Sequence, residues 1–420
     1  MPEYSLPVGN KDLINIARRA FNLVDPRLIG HGARVSYLVF QMLKEDGTYT
    51  PSEMRNLLIL AALHDIGAYK TEEIDRMVEF ETKEVWNHSI YGYLFLYHFS
   101  PLKDWAQAIL YHHVSAISLK GVEEKIATVS QIINIADRVD MFWLYQPDEE
   151  ALDSYLIRNR GRRFREEIVE LFLETQRHDP ILENLNKEYA PKSILPQVNL
   201  SSQECEDYLK MMIYAIDFRS QHTVTHTITT TSISTNTARI IGMSDDQVQR
   251  IYYGALLHDL GKIGIPVEIL EFPGKLSPQA MKIMRSHVSI TEDILGGTIA
   301  PDITKIAVRH HEKLDGSGYP RGLTEKELSM EEQVVAIADI VSALLGTRSY
   351  KEAYSKDKTL SILQEQAETG KINREIVSIL EEHFDEILAE VATNCSPILH
   401  TYYGLQQEYE GLLEKHRGVY

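Results

Sequence analysis

Cysteine is nearly missing from this chain: Cys205 and Cys395 are the two in 420 residues. They give no disulfide framework and suit a reducing cytoplasm, which is the expected location. Basic residues are also in deficit. The 43 Lys and Arg stand against 61 Asp and Glu, a formal net charge of −18. That balance disfavours a nucleic-acid polymer as partner, because such binding rests on neutralising phosphates with Lys and Arg. A small anionic nucleotide drawn in by bound cations stays compatible with it. Long apolar runs are lacking too. LLILAAL (Leu57–Leu63) is far too short to span a bilayer, so no membrane partner is expected. The opening MPEYSLPVGNKDL has no basic-then-apolar leader, so no secretory signal is read. What is left is a globular composition, 44% hydrophobic, in a chain long enough for two to three domains.

Histidine is what the chain has in quantity and in order. HDLGKIGIP (His258–Pro266) is followed by His287, by HHEKLDGSGYP (His310–Pro320), and by Asp339 within AIADIVSALLGTRSYK (Ala336–Lys351). Upstream, RSQHTVTHT (Arg219–Thr227) holds His222 and His226, which at i and i+4 share one helix face and can reach a single metal. Neutral imidazole with carboxylate and no thiol suits iron, manganese or zinc. A lone His-Asp dipeptide would mean little. The dipeptide, a single His, a His-His pair and a later Asp in fixed order are much harder to obtain by accident.

The same order occurs twice. GHGARV (Gly30–Val35), AALHDIGAY (Ala61–Tyr69), NHSIYGYLFL (Asn87–Leu96), YHHVSA (Tyr111–Ala116) and IADRVDMFW (Ile135–Trp143) precede His226, ALLHDLGKI, SHVSITEDIL, RHHEKL and IADIVSALL. His31 to His64 is 33 positions and His226 to His258 is 32; the later intervals are 24 and 29, 24 and 23, and 24 and 28. Such agreement identifies a duplicated domain. Eleven of the sixteen histidines belong to the two sets, and His98, His178, His383, His400 and His416 are left for surface or core roles. Helical spacing of apolar residues in YLVFQMLKE, QAMKIMRSHVSITEDIL and REEIVELFLE predicts an almost wholly helical chain. TVTHTITTTSIST (Thr223–Thr235) conflicts, since its β-branched residues favour a strand. Its repeat partner GHGARVSYLVFQMLK reads as a helix, and the repeat decides for helix.

The second set resembles the HD-GYP family of metal-dependent cyclic-dinucleotide phosphodiesterases, a branch of the HD phosphohydrolase superfamily, over about residues 205 to 385. The resemblance implies an all-α fold of two tandem HD-type helical bundles with a C-terminal helical extension. The expected boundaries are 1–178 for a degenerate N-terminal HD domain, 179–203 for a connector, 204–385 for the catalytic domain and 386–420 for a packing or dimerising extension. His226, His258, Asp259, His287, His310, His311 and Asp339 fall on the family's metal-ligand positions. His222 stands where some members have a glutamate supporting a third metal; its other reading is a solvent-facing residue. Two divalent ions are therefore expected, three if His222 ligates, with iron or manganese favoured. Such a pair lowers the pKa of water and clamps a phosphodiester for in-line attack. Asp259, with two oxygens, can bridge the ions, and Lys262 is placed to hold a phosphate oxygen.

Gly316 and Gly318 tolerate dihedrals that other residues resist and let the loop backbone approach a ligand, with Tyr319 and Pro320 completing the substrate loop. Arg348 and Lys351 lie where basic residues meet the substrate phosphate, or else end a solvated helix. Ser342 replaces an aspartate common in relatives, a change expected to alter one supporting hydrogen bond. The implied reaction is hydrolysis of cyclic di-GMP or 3′3′-cyclic GMP–AMP to a linear dinucleotide by metal-activated water. A non-catalytic cyclic-dinucleotide-binding regulator and a nucleotide phosphohydrolase of the wider superfamily are the alternatives.

In the first set His31, His64, Asp65, His88, His112, His113 and Asp137 are all kept, so a second metal site is chemically allowed there. Ala68 stands in place of the lysine and HHVSAISLKG has no counterpart of DGSGYP, so that copy is expected to be weakly active or inactive. RNRGRRFR (Arg158–Arg165), with five arginines, reads as a phosphate lure or, more simply, a solvated helix start.

Overall fold

A computed structural model describes residues 12, 15, 16, 19, 20, 30–68, 86–185, 198–218, 225–346 and 354–416. Every regular element among them is helical, and pairing of the strand type is limited to two isolated bridges, Arg160 with Phe164 and Asp315 with Thr324. The all-α expectation holds. The chain divides into two compact units, one of residues 25–211 and 405–420, the other of residues 1–24 and 212–404. None of the described helices is long and apolar enough to cross a membrane.

The N-terminal unit is built from α1 (His31–Asp46), α2 (Pro51–Ala62), α3 (Trp86–Phe99), α4 (Gln107–Leu110), α5 (Glu124–Tyr145), α6 (Glu149–Asn159) and α7 (Glu166–His178). Thr50 starts α2 with a reciprocal box to Glu53, and Pro51 fits the first turn, where no backbone donor is needed. α1 packs on α2 and α5, and α3 on α4. The 22-residue α5 runs through the centre, burying Ile132, Ile133, Ala136 and Val139 around Asp137. Helix α8 (Ser202–Asp217) then leads out of this unit.

The second unit holds α9 (His226–Ile241), α10 (Asp245–Leu257), α11 (Pro278–Arg285), α12 (His287–Leu295), α13 (Pro301–Val308), α14 (Met330–Leu345), α15 (Lys356–Glu368) and α16 (Arg374–Glu382). α9 is the β-branched segment, and it is a helix. Thr231 and Thr235 donate their hydroxyls to the carbonyls four residues back, at 2.7 and 2.9 Å, which satisfies them inside the core. Ile233 of α9, Ile251 of α10, Val335 of α14 and Val377 of α16 share one apolar cluster. Gly254 lets α10 and α13 cross closely: a Cβ there would lie 2.2 Å from Ile306.

The expected C-terminal extension is α17 (Phe384–His416), with Pro397 inside it. Within the second unit its Asn394 donates to Ser232 Oγ at 2.9 Å, and Tyr402 sets its ring against Phe218 at 4.8 Å. Beyond residue 404 it packs in the first unit, where His416 stacks on Trp86 at 4.4 Å and Tyr409 on Tyr91 at 4.3 Å.

Candidate metal centres and active site

Helix ends present the C-terminal set. His226 opens α9, His258 closes α10, His287 opens α12, His310 and His311 follow α13, and Asp339 sits within α14. Asp259 leads into a single tight turn, Leu260–Gly264. That turn lies so close to α12 that a Cβ on Gly261 would fall 2.0 Å from the carbonyl oxygen of His287. The glycine of HDLG is therefore what brings the dipeptide beside the next histidine. Gly67 does the same in the first set, where a Cβ would fall 2.0 Å from the His88 carbonyl oxygen.

The imidazoles are oriented from behind. His258, His287 and His310 place Nδ1 against the carbonyls of Ala255, Met284 and Ala307, three residues back, at 2.7, 2.6 and 2.7 Å. A neutral ring donates there through Nδ1–H, which leaves Nε2 as a bare lone pair aimed inward. His287 Nε2 and His310 Nε2 face each other at 3.3 Å, and His258 Nε2 faces His226 Nε2 at 3.4 Å. Two bare lone pairs as close as those of His287 and His310 repel unless a cation is shared between them. His226, His258 and Asp259 form one group able to hold an ion, and His287, His310 and His311 another. Asp259 faces both: Oδ2 is 3.0 Å from His258 and 3.3 Å from His226, while Oδ1 is 3.5 Å from His287. Asp339 likewise splits between His226, at 3.1 Å, and His311, at 3.5 Å. The donor set fits a pair of divalent ions.

Charge agrees with that fit at three of the imidazoles. Burial pushes His287 and His310 down, and His311 to about 3, toward the neutral ring that ligates. For His226 burial also pulls down, but hydrogen bonds to Asp259 and Asp339 outweigh it and raise the ring to about 9. Both carboxylates stay ionised despite burial, Asp259 beside His258 and Lys262, Asp339 beside His226 and His311. Lys262 Nζ donates to Asp259 Oδ2. Ser342 Oγ lies 2.9 Å from His226 Nδ1, so a hydroxyl supports that ring where the resemblance implies a carboxylate in relatives.

DGSGYP folds over one side of this centre. Asp315 caps the turn by accepting from Ser317 N at 3.0 Å, and Gly316 has φ +79°. Gly318 is needed for another reason than the dihedral freedom expected: a Cβ there would meet Glu312 Cα and Lys313 N at 2.4 Å. Buried Glu312 ties down the far end, accepting from Arg321 N at 2.7 Å and Leu323 N at 2.9 Å. Tyr319 packs its ring 4.7 Å from His311, with the Arg285 guanidinium 4.7 Å from its centroid, and Pro320 follows through a cis bond. A cavity of about 500 Å³ adjoins, lined by His311, Gly318 and Tyr319 and by Arg285, Lys313 and Lys371.

The N-terminal set also converges. His31 Nε2 is 3.4 Å from Asp137 and 3.7 Å from Asp65, His64 Nε2 is 3.2 Å from Asp65, and His112 Nε2 is 3.8 Å from it. His64 and His112 are held by the carbonyls three residues back, at 2.8 and 2.5 Å. Two groups able to hold an ion result, His31–His64–Asp137 and Asp65–His88–His112–His113. His64 Nε2, His112 Nε2, both Asp65 oxygens and Asp137 Oδ2 are buried without a hydrogen bond, a donor set that fits a divalent ion. Asp140 orients His31 at 2.7 Å and pairs with Arg34. Burial pulls His31 down, yet Asp137 and Asp140 together raise it to about 10.

Accessories differ. Ala68 is buried where the lysine would be, and buried Arg138 reaches His113 Nδ1 at 3.1 Å and Asp137 at 3.5 Å. Val114–Leu119 is bound down by Gln131 and by the backbone of Arg162 and Arg163, so no open loop forms. Of the RNRGRRFR arginines, Arg160 pairs with Glu166 and Glu170, and Arg165 with Glu124 and Glu167; these are helix-start ion pairs. His98, His178 and His383 pair with Glu408, Glu45 and Glu386 at the surface. His222, Arg348 and Lys351 lie outside the described residues.

Sequence reasoning passed over four residues. Glu312, inside the motif, carries the loop. Arg285 and Lys371 come from α11 and the turn before α16, and no local pattern connects them to the site. Asp217, at the end of α8, is a buried carboxyl that accepts from Thr227 Oγ1 at 3.0 Å; burial pushes it up to about 7.

Family models for the HD domain match residues 28–141 and 210–376. The chain is similar to 3′3′-cGAMP-specific phosphodiesterase 1 of Vibrio cholerae, with 25% identity over 400 residues, 89% of this chain and 93% of the relative. It is also similar to the cyclic di-GMP phosphodiesterase response regulator RpfG of Xanthomonas campestris, with 36% identity over 176 residues, 41% of this chain and 47% of the relative. Among solved structures, a cyclic GMP-AMP-specific phosphodiesterase of V. cholerae superposes with TM-score 0.56 and 20% identity, covering 90% of this chain and 98% of that one, which shows a shared fold.

Proposed function

The chain belongs to the HD-GYP family, and from that membership we propose that it is a metal-dependent phosphodiesterase that opens a cyclic dinucleotide, cyclic di-GMP or 3′3′-cyclic GMP–AMP, to a linear dinucleotide. The observation that carries this reading is the Asp259 carboxylate, divided between two imidazole groups with Lys262 upon it, beside a cation-lined cavity under the GYP loop.

His226, His258, His287, His310, His311, Asp259 and Asp339 would hold two divalent ions, iron or manganese, with His222 available for a third. When bound, such ions lower the pKa of water and offset charge on the phosphoryl group. The protein's own part is orientation. Backbone carbonyls fix three imidazoles in the ligating tautomer, so little reorganisation remains when substrate arrives. Lys262, one turn beyond Asp259 and partly exposed, offers its ammonium to a non-bridging phosphate oxygen. Gly318 and Tyr319 shape the wall against which the substrate lies, Pro320 fixes its exit, and Arg348 and Lys351 add phosphate contacts. Water adds across the P–O3′ bond, leaving a 5′-phosphate and a free 3′-hydroxyl.

The N-terminal set would hold metal through His31, His64, Asp65, His88, His112, His113 and Asp137 without turnover, for want of the lysine and the loop. A division at 1–178, 179–203, 204–385 and 386–420, and a cytoplasmic location, accompany this reading; two free, buried cysteines support the latter.

Anaerobic turnover of metal-loaded protein with both cyclic dinucleotides and a mononucleotide panel tests it, products being resolved by chromatography. Linear dinucleotide is the expected product. None at confirmed metal occupancy makes the protein a binding regulator, and hydrolysis confined to mononucleotides makes it a wider HD phosphohydrolase.

A further inference from the structure

A cyclic dinucleotide carries two phosphodiesters, and one metal centre can engage only the one it cleaves. The second charge must be accommodated elsewhere within the span of the ring. The cavity beside His311 supplies a place. Its lining brings together Arg285 from the end of α11, Lys313 just beyond the His-His pair, and Lys371 from the turn before α16, against the single carboxylate of Glu365. In a chain of net charge −18 that local excess of cations is against the general trend.

The three come from separate segments, yet the fold ties them together. Leu314 N donates to the carbonyl of Lys371 at 2.9 Å, which fastens the Lys313 strand of the loop to the turn bearing Lys371. Arg285 lies 4.7 Å from the Tyr319 ring centroid. An arginine beside an aromatic is held at little further entropic cost, and the pair presents a flat surface next to a cation.

We propose that Arg285, Lys313 and Lys371 form an anion subsite for the phosphodiester that is not cleaved, with a purine stacked on the Tyr319–Arg285 pair. This rests on the cyclic-dinucleotide reading above and deepens it: the subsite makes the enzyme prefer a substrate with two phosphates over one with a single phosphodiester. These are binding residues, so their loss is read in KM more than in kcat.

The test compares wild type with Arg285→Ala, Lys371→Ala, the double variant and Lys371→Arg, all metal-loaded. Substrates are cyclic di-GMP, 3′3′-cyclic GMP–AMP and bis(4-nitrophenyl) phosphate, which has one phosphodiester and no purine. The expected result is a tenfold or greater fall in the ratio of kcat/KM for dinucleotide to kcat/KM for the small diester in the double variant. That fall lies mainly in KM, with smaller falls in the single alanine variants and recovery in Lys371→Arg. Proportional losses on both substrates would mark a structural role and overturn the subsite, as would a ratio unchanged within twofold. Wild-type turnover of the small diester with none of either dinucleotide would instead sink the substrate class, and this subsite with it.

Discussion

The two copies keep the same seven His and Asp positions and differ in what surrounds them. In the C-terminal copy the cation beside Asp259 is Lys262, partly exposed and donating to Asp259 Oδ2. In the N-terminal copy the corresponding position is the buried Ala68, and the cation is Arg138, buried against His113 and Asp137. A loop of glycines with a cavity beneath it in one copy corresponds to a segment fastened by Gln131 and the Arg162–Arg163 backbone in the other. On the proposed reading, holding metal and using it are separate endowments. The first needs imidazoles oriented from behind by carbonyls, which both copies retain. The second also needs a partly exposed cation and room for a substrate, which Lys262 and the cavity beside His311 supply in the C-terminal copy.

The sharpest way to strain this comparison is the lysine. Lys262→Ala should lower kcat by about a hundred- to a thousandfold, as loss of a preorganised charge at a transition state does. Ala68→Lys should restore nothing to a chain whose C-terminal centre is disabled, because Val114–Leu119 is still fastened where a DGSGYP loop would lie. Steady-state kinetics on both variants checks this. Activity appearing from Ala68→Lys would mean that the lysine alone separates the copies.

The glycine of each HD turn should, by contrast, behave alike in both. Gly261→Ala and Gly67→Ala each force a Cβ to within 2.0 Å of a carbonyl oxygen. Such overpacking costs about 1–3 kcal/mol or more, visible as a lower Tm in each case. Turnover should suffer far more from Gly261→Ala than from Gly67→Ala.

Much of this was legible in the sequence because metal ligation demands particular residue types in a particular order. The duplicated intervals located fourteen His and Asp positions that the fold gathers into two clusters. They also carried the segment at 226–241 to a helix against its β-branched composition, which the fold tolerates by bonding Thr231 and Thr235 back to their own backbone. What local pattern could not convey was tertiary. Gly318 is demanded by the closeness of Glu312 and Lys313, and Glu312 anchors the loop through backbone donors nine and eleven residues on. Arg285 and Lys371 reach the cavity only because helices far apart in sequence meet there. RNRGRRFR reads more simply as a solvated helix start than as a phosphate lure, and Arg160 and Arg165 there pair with glutamates of α5 and α7.

A smaller effect separates the supports of the first histidine in each set. Asp140 holds His31 and is itself held by Arg34, whereas Ser342 holds His226 with a single hydroxyl. Ser342→Ala should weaken metal binding by about tenfold, the low end for such supporting bonds. Asp140→Ala should weaken it more in its own copy and also leave Arg34 without its carboxylate. Metal titration of each variant measures the difference; equal losses would show that the ionic support adds nothing.

The most direct measurement takes the double variant His258→Ala with Asp259→Ala and determines, on the same preparation, bound metal and anaerobic turnover of both cyclic dinucleotides. The account predicts no linear dinucleotide while the N-terminal set still binds metal. Substantial turnover by that variant would contradict it, because the N-terminal copy would then be an enzyme in its own right.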